Sequence, residues 1–391
     1  MSSIESTANA PETPSFSNPY VVTLPPGQFP GAAIAYDGWT GLRHWDPFWL
    51  QQGYDSLIVR GHGDRDTHIV APKIGEGGQR AQDTLVLGKG AGPVRFENLT
   101  VHTGSRRAIF AGADHRPQIA NPTFGWLEMV NCDMVSETRC AWGIHAYHYG
   151  GSIEHCDWHL SEVREHGLYA HGWGYPGWRV KGLHVHSVGS ECLKFTRRPH
   201  EAAWIDAGLP VGRHAEAEGV SFVPRTAITI ADCVLEGYAN GINGDNGAGI
   251  VMQGVGCTVS IRGVHSVNSR RPAIAIDDGS EWYSYSGVAG SHPAIDLIEI
   301  RECVLGTGSG PVLRVLSAEG LEVRDCALYG LGDSEDPVRA HLENIESATV
   351  VGCNMGLPKQ VAEQRGLNLS REAMLQPDWV PASRGFEGAI D

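Results

Sequence analysis

The sequence is poor in positive charge. It contains 30 Lys and Arg residues against 45 Asp and Glu residues, which gives a formal net charge of −15. Nucleic acids and anionic membrane surfaces attract proteins through basic patches, so we expect neither nucleic acid nor membrane as a partner. The glycine-rich stretches also lack the spacing of a P-loop or a dinucleotide-binding fingerprint, which argues against a nucleotide cofactor.

Membrane-spanning and export segments are missing as well. No apolar run approaches the ~20 residues that a helix needs to cross a bilayer. The first residues, MSSIESTANAPETPSFSNPY, lack the basic and apolar regions of a signal peptide. We therefore expect assembly in the cytoplasm, and an extracellular role would need another route, such as release on the surface of a virus particle.

Paired motifs for zinc and for disulfides are also absent. No C-x-x-C pair and no H-E-x-x-H motif occurs among the 9 cysteines and 18 histidines. The close pairs His145/His148 and His184/His186 are not enough to predict a metal site. The cysteines are odd in number and regularly spaced, which favours buried thiols over a disulfide framework.

What the sequence does contain is a repeated phrase in which two apolar residues alternate with other residues before a cysteine. TAITIADC ends at Cys233, and other copies end at Leu99, Cys132, Cys156, Val188, Val264, Cys303, Cys326 and Cys353. Their spacing ranges from 23 residues (Cys303 to Cys326) to 45 residues (Val188 to Cys233). Alternation with period two predicts a strand, and this spacing is typical of a solenoid.

A second alternating strand follows most copies, as in GIHAYH, GLYAHG, CLKFTR and GIVMQG. We therefore predict an all-β chain, a parallel β-helix of about nine to ten coils with the cysteines stacked in its interior. A β-sandwich with accidental similarity between its strands is the alternative. The predicted organisation is an extended arm (1–30), an aromatic-rich cap or docking segment (31–56), the β-helix (57–355) and a C-terminal cap with short helices (356–391).

Outward-facing residues of the second strand form two predicted columns. One contains His145, Tyr169 and Lys194, and the other contains Tyr147, His171, Thr196, Gln253 and Asp277. Flanking aromatic residues and inserted loops add Trp142, Tyr149, His166, Trp173, Trp178, Trp204, Trp282 and Tyr283. Aromatic rings stack on sugar rings and polar groups bind hydroxyls, so this stripe predicts a polysaccharide site. An ordinary exposed β-face, rich in Tyr, Thr and His through strand propensity, is the alternative.

Acidic residues near this face are candidates for catalysis. Asp277 and Asp278 have the chemistry of an acid–base pair for glycoside hydrolysis, although a turn role is the alternative. A lyase instead needs a base beside a uronate carboxyl and a cation that neutralises it. Lys194 and Arg197, near Asp206, are candidates for that role, with ordinary surface charge as the alternative.

The repeat resembles the right-handed parallel β-helix of the pectate-lyase-like superfamily, which includes pectate lyases, polygalacturonases and phage tailspikes. The resemblance covers about three-quarters of the chain as architecture. Gly61-His62-Gly63 and Arg179-Val180-Lys181 precede Asp277-Asp278, unlike the order in polygalacturonases, and the Asn-Thr-Asp stretch of those enzymes is missing. Trp204-Ile205-Asp206 lacks the His that follows in pectate lyases, and Arg197-Arg198-Pro199 lacks their final Arg.

The resemblance implies a polysaccharide partner and no cofactor, apart from a divalent cation such as calcium for a lyase. The tailspike members imply a homotrimer whose N-terminal arm contacts other virion proteins. We therefore expect a virion spike or decoration protein that binds cell-surface polysaccharide, with or without depolymerising it. A free polysaccharide lyase or glycoside hydrolase acting on an acidic glycan and a structural shell protein without ligand are the alternatives.

Overall fold

The computed structural model describes residues 14–31, 48–63, 65–74, 79–87, 93–112, 125–147, 149–171, 177–196, 227–238, 248–253, 257–268, 271–277, 295, 297–307, 311–330 and 340–355. These ranges consist mainly of β-strands, with one short helix, α1 (Phe48–Gln51), before the third strand. Across these ranges, no helix has the length and apolar character needed to cross a membrane.

Three parallel sheets contain nearly all the strands. Sheet 1 consists of β1 (Pro19–Thr23), β3 (Ser56–Arg60), β8 (Pro93–Glu97), β11 (Gly125–Val130), β14 (Tyr149–Glu154), β17 (Gly177–Lys181), β20 (Ala227–Ala231), β23 (Thr258–Arg262), β26 (Leu297–Arg301), β29 (Ala318–Arg324) and β32 (Ile345–Val351). Sheet 2 consists of β2 (Gly27–Pro30), β4 (Thr67–Val70), β9 (Thr100–His102), β12 (Asp133–Val135), β15 (Asp157–His159), β18 (His184–Ser187), β21 (Val234–Glu236), β24 (His265–Asn268), β27 (Val304–Thr307), β30 (Ala327–Gly330) and β33 (Asn354–Met355).

Sheet 3 consists of β7 (Asp83–Leu87), β10 (Arg107–Ala111), β13 (Trp142–Tyr147), β16 (Leu168–His171), β19 (Leu193–Thr196), β22 (Ile250–Gln253), β25 (Ile274–Asp277), β28 (Leu313–Val315) and β31 (Ala340–Leu342). A short antiparallel pair, β5 (Lys73–Ile74) and β6 (Gln79–Arg80), precedes it. From β7 onward the chain visits sheets 3, 1 and 2 in turn, so each cycle adds one strand to every sheet. This order is that of a parallel β-helix solenoid, and the parallel pairing excludes the alternative of an antiparallel β-sandwich.

The repeated phrase corresponds to a sheet 1 strand and the turn that leads into sheet 2. On β20, Ile228 and Ile230 point into the core and are fully buried, as their register partners on β23 are. We call the last residue of each copy its anchor; in the coil of β17 the anchor is Leu183, as shown below. The residue directly before each anchor has a positive φ; these residues are Asn98, Asn131, His155, Gly182, Asp232, Gly263, Glu302, Asp325 and Gly352. Asn, Asp and Gly tolerate this left-handed conformation best, which explains their recurrence at this position.

Six of the nine cysteines lie directly after this turn: Cys132, Cys156, Cys233, Cys303, Cys326 and Cys353. Cys303 Sγ is 3.1 Å from the carbonyl oxygen of Arg301, and Cys326 Sγ is 3.1 Å from that of Arg324. All nine cysteines are buried and none forms a disulfide. A cysteine fits here because it is small and apolar, and because its thiol donates a weak hydrogen bond to a carbonyl of the bend.

One copy of the phrase lies in a different place from the one predicted. On β17, Val180 pairs with Ile153 of β14, so Leu183 occupies the anchor position of this coil. The prediction of Val188 as the anchor is therefore wrong, since Val188 lies after β18. The copy was missed because Trp178 fills the first apolar position, where the other copies have smaller side chains.

The described part of the predicted N-terminal arm belongs to the sheets. Residues 19–23 and 27–30 form β1 and β2, the first strands of sheets 1 and 2. Tyr20, Val22 and Phe29 pack against the core. Burial of these apolar side chains stabilises the two strands, although most residues around them are polar. Trp49 of α1, in the predicted aromatic-rich segment, is fully buried. The earlier part of the arm (1–13) and the predicted C-terminal cap (356–391) lie outside the described residues.

Candidate functional site

The two predicted columns lie on the outward face of sheet 3. His145, Tyr169 and Lys194 pair with one another across β13, β16 and β19. The other column runs in register through Tyr147, His171, Thr196, Gln253 and Asp277. The predicted inward residues between them, such as Ile144 and Leu193, are fully buried in the core. The strand register predicted from the sequence is therefore confirmed.

This face is far less open than the sequence predicts. The side chains of His145, Tyr169 and Lys194 are only 5%, 7% and 8% exposed, although they point away from the core. Gln253 and Asp277 are partly exposed. The column of His145, Tyr169 and Lys194 is therefore a row of buried polar and aromatic groups and not the exposed stripe that the sequence predicts.

The outward face of sheet 1 shows the contrasting arrangement. There, charged side chains form ion pairs in contact with water, as in Arg262 and Glu302, whose atoms Nε and Oε2 lie 2.9 Å apart. Their side chains are 64% and 46% exposed. Exposed pairs of this kind contribute little free energy, so sheet 1 presents an ordinary solvated surface.

At one end of the sheet 3 face, a buried ion pair joins β7 and β10. Arg107 Nε and Nη2 donate to the two carboxylate oxygens of Asp83 at 2.5 and 3.1 Å, and both side chains are less than a tenth exposed. The guanidinium also lies 3.9 Å from the ring centroid of Phe110 and 3.2 Å from His145 Nδ1. Burial raises the pKa of Asp83 above its ordinary value, and the charge of Arg107 opposes that rise.

Further along the face, a second buried group lies at the start of β16 and β19. His166 Nδ1 is 2.5 Å from Glu191 Oε2, and Lys194 Nζ is 3.3 Å from Glu191 Oε1. Burial lowers the pKa of His166, although the Glu191 charge opposes this change. Burial acts to raise the pKa of Glu191, but the His166 contact and the Lys194 charge outweigh it, so this pKa lies well below its ordinary value.

Aromatic contacts join the two groups into one cluster. Tyr169 stacks on His145 with ring centroids 5.2 Å apart, and it contacts the edge of His166 at 4.6 Å. Lys194 Nζ lies 5.4 Å from the Tyr169 ring centroid, within the range of a cation–π contact. We refer to this set as the sheet 3 polar cluster; its members are Asp83, Arg107, His145, His166, Tyr169, Glu191 and Lys194.

A glycine at the start of β16 allows this close packing. Gly167 donates its N–H to the carbonyl oxygen of Glu191 at 3.0 Å. A Cβ at Gly167 would lie 2.7 Å from the carbonyl oxygen of Cys192, closer than real contacts allow. The missing side chain therefore lets the turn approach the next coil and hold His166 against Glu191.

The His166–Glu191 pair has the arrangement of a general base and the group that orients it. A neutral His166 with its proton on Nδ1, the nitrogen that faces the ionised Glu191, would keep a lone pair on Nε2 that can accept a proton. This tautomer is inferred from the pairing. Glu165 Oε2 lies 3.9 Å from Nε2, and Lys194 and Arg107 are the cluster's cations. The cluster thus combines a candidate base with two buried cations, each of which is paired with a carboxylate.

The remaining predicted site residues are only partly in this cluster. Asp277 lies on β25, separated from Lys194 by β22, and its Oδ2 is 3.4 Å from Gln253 Nε2. For Tyr147 and His171 the structure describes the backbone position alone. The other predicted residues lie outside the described ranges: Asp206, Asp278, Arg197, Trp173, Trp204, Trp282 and Tyr283.

Three members of the cluster were missed from the sequence. Asp83 and Arg107 are the first residues of β7 and β10 and pair in register, and Glu191 lies two residues before β19. Charged residues at or near the starts of sheet 3 strands were the available signal. By contrast, Tyr149 and Trp178, expected beside the face, belong to the core.

No protein-family model, curated protein or solved structure matches this chain. Among the described residues, sets of three His, Asp or Glu donors close enough for one metal ion occur on sheet 2 and not in the sheet 3 polar cluster.

Proposed function

We propose that this chain is a right-handed parallel β-helix of the pectate-lyase-like type, and that it binds an acidic polysaccharide on the outward face of sheet 3. The observation that supports the proposal is the sheet 3 polar cluster. Burying charged groups costs several kcal/mol per ion unless partners compensate, and such groups concentrate at functional sites. The described ion pair of Arg262 and Glu302, beside sheet 1, is by contrast open to solvent.

The chemistry of the cluster suits a sugar acid. Arg107 and Lys194 place positive charge beneath this face, and the rings of His145 and Tyr169 supply its aromatic groups. Gln253 and Asp277, in the second column of this face, are partly open to solvent. The net charge of −15 repels a polyanion, so binding depends on these local cations and not on the overall field.

The His166–Glu191 pair extends the proposal to lyase-type cleavage. In a β-elimination, His166 Nε2 takes the proton from the carbon beside the uronate carboxyl, and Lys194 faces the negative charge that develops there. The carbon–oxygen bond to the leaving sugar then breaks, a carbon–carbon double bond forms, and the leaving oxygen takes a proton from solvent. Such a base contributes about 10²- to 10⁴-fold to the rate.

A panel of acidic and neutral polysaccharides tests the proposal. Binding is measured by calorimetry, and cleavage by the ultraviolet absorbance of the unsaturated uronate product. We expect an acidic glycan to bind, and His166→Gln to reduce product formation at least about 100-fold while binding persists. His62→Gln, at an exposed His–Asp pair in the turn between β3 and β4 and away from sheet 3, is the matched control and should change neither.

The proposal fails if no acidic polysaccharide binds, or if His166→Gln cleaves at the wild-type rate. A virion spike and a free enzyme would use the same face. Light scattering separates these two, because a tailspike-like protein is expected to form a trimer.

A further inference from the structure

A cluster of histidine and carboxylate side chains lies on the outward face of sheet 2, away from the polysaccharide face proposed above. Asp157 and His159 come from β15, His184 and His186 from β18, and Glu236 from β21. These strands are neighbours in sheet 2, so the cluster spans three successive coils. We refer to these five residues as the sheet 2 histidine cluster.

The donor atoms of the cluster converge on His186. Its Nε2 lies 2.5 Å from Asp157 Oδ1, and His159 Nε2 lies 3.5 Å from the same oxygen. On the other side, His184 Nε2 is 3.1 Å from Glu236 Oε2. Two sets of three donors, each within 4.8 Å of one another, share His186: Asp157, His159 and His186, and His184, His186 and Glu236.

A break in the strand pairing creates this arrangement. Asp157 pairs with His184 in regular register, but the register shifts between Trp158 and His159, so that His159 faces Ser187. His186 is the extra residue of β18 at this irregularity, and its ring lies between two others, with centroids 4.0 Å from His159 and 3.6 Å from His184. Bulges of this kind turn side chains out of the regular pattern and are frequent beside functional sites.

The donor types indicate which ion the cluster would take. Calcium and magnesium prefer oxygen donors alone, whereas imidazole combined with carboxylate suits zinc and its neighbours in the first transition row. Tetrahedral bonds of about 2.0–2.2 Å place donors about 3.3–3.6 Å apart. His159 Nε2 and Asp157 Oδ1 already have this separation at 3.5 Å, whereas His186 Nε2 and Asp157 Oδ1, at 2.5 Å, would move apart around an ion. His186 and Asp157 are 33% and 38% exposed, so an ion can enter from solvent and keep a water ligand.

We propose that the sheet 2 histidine cluster binds one divalent transition-metal ion of the Zn²⁺ class, with His186 as the ligand that both donor sets share. The ion links β15 and β18, or β18 and β21, and so joins adjacent coils. It adds a property that neither polysaccharide binding nor cleavage requires.

Binding of Zn²⁺ alone to the full chain, after removal of metal with a chelator, provides the test. Calorimetry should show one ion per chain, and Co²⁺ should give the visible spectrum of a tetrahedral site. His186→Ala should weaken Zn²⁺ affinity by about 100-fold or more, since even residues behind the ligands contribute 10- to 100-fold. His341→Ala removes another His–Glu pair, on sheet 3, and should leave binding unchanged.

Two further variants show which donor set holds the ion. Loss of affinity in His159→Ala assigns the first set, and loss in Glu236→Ala assigns the second; either result supports the proposal. Circular dichroism without metal checks that each variant folds. The proposal is overturned if Zn²⁺ does not bind the wild-type chain, or if a folded His186→Ala variant binds it as tightly as wild type.

Discussion

His166 Nδ1 lies 2.5 Å from Glu191 Oε2, although the two residues belong to turns that precede different strands, β16 and β19. The contact exists because these strands are neighbours in sheet 3, so that one winding of the solenoid places equivalent turns on top of each other. Burial of both side chains gives the pair its energetic weight, because an isolated charge would be costly at this position.

The first prediction concerns the pH dependence of stability. The pKa of folded His166 is lowered below its ordinary value of 6.5, so the unfolded chain binds more protons as the pH falls below that value. His166 therefore stabilises the fold above about pH 6.5 and loses this effect as the pH falls through its folded pKa. Urea unfolding at about pH 7.5 and about pH 5.5 should show lower stability at the acidic pH.

Asp83 is the internal check on this result, because its pKa is raised and the sign is opposite. Acidification toward pH 3.8, the ordinary pKa of an Asp, favours the folded state through Asp83, because its carboxyl accepts a proton more readily in the folded chain than in the unfolded one.

His166→Gln removes the imidazole whose pKa is lowered, so it should reduce the stability difference between the two pH values. An equal difference in the variant and the wild type would contradict the assigned pKa direction.

The second prediction concerns the buried Asp83–Arg107 pair. Asp83→Asn removes the carboxylate that faces a guanidinium less than a tenth exposed, and this should lower the free energy of unfolding by about 3–5 kcal/mol. The exposed pair on sheet 1 is the control: Glu302→Gln should change stability by less than about 1 kcal/mol. Urea unfolding of both variants measures the difference, and similar values for the two would show that burial of the first pair has no energetic consequence.

The sequence predicts much of the fold, because the inward-facing residues of each strand appear in the sequence as apolar residues at every second position. The phrase around Ile228 and Ile230 shows this directly, since both are buried as expected. The copy at Leu183 was misplaced because Trp178 does not look like the aliphatic residue it replaces. β1 was missed because its few apolar residues are surrounded by Pro and Ser, and their burial depends on a sheet built from distant residues.

The sequence predicts which residues of the candidate site share a column, but it does not predict that their side chains are buried. Alternation alone places His145, Tyr169 and Lys194 in one column. It cannot show that they are buried, because burial of an outward side chain depends on residues from other coils. Glu191 was missed for a similar reason, since its role depends on where β19 begins relative to the turn that carries His166.

The third prediction concerns the reactivity of the cysteines. Burial raises the pKa of Cys140 to about 11 and of Cys233 to about 12, and only the thiolate reacts with disulfide reagents. We expect none of the nine thiols to react rapidly in the native protein and all nine to react once the chain is denatured. Titration with an aromatic disulfide reagent measures both numbers. Rapid reaction of even one native thiol would contradict the burial of that coil's interior.

The last prediction concerns the turn between sheets 1 and 2. Asn131 has a φ of 53° and donates its side-chain N–H to Asn98 Oδ1 at 2.6 Å, so two successive coils are joined at this turn. Arg65 adds a further contact by donating to Asn131 Oδ1. Asn131→Ala removes these bonds and leaves a residue that disfavours the left-handed conformation, so urea unfolding should show a loss of about 2–3 kcal/mol.

Asn131→Gly separates these two contributions, because glycine adopts a positive φ without strain but lacks the side chain. It should lose the hydrogen bonds, worth about 1 kcal/mol each, and avoid the conformational cost, so its stability should lie between those of the wild type and Asn131→Ala. If the glycine variant is as destabilised as the alanine variant, the left-handed conformation is not what selects Asn, Asp and Gly before each anchor. The recurrence of those residues would then follow from their side-chain contacts or from packing alone.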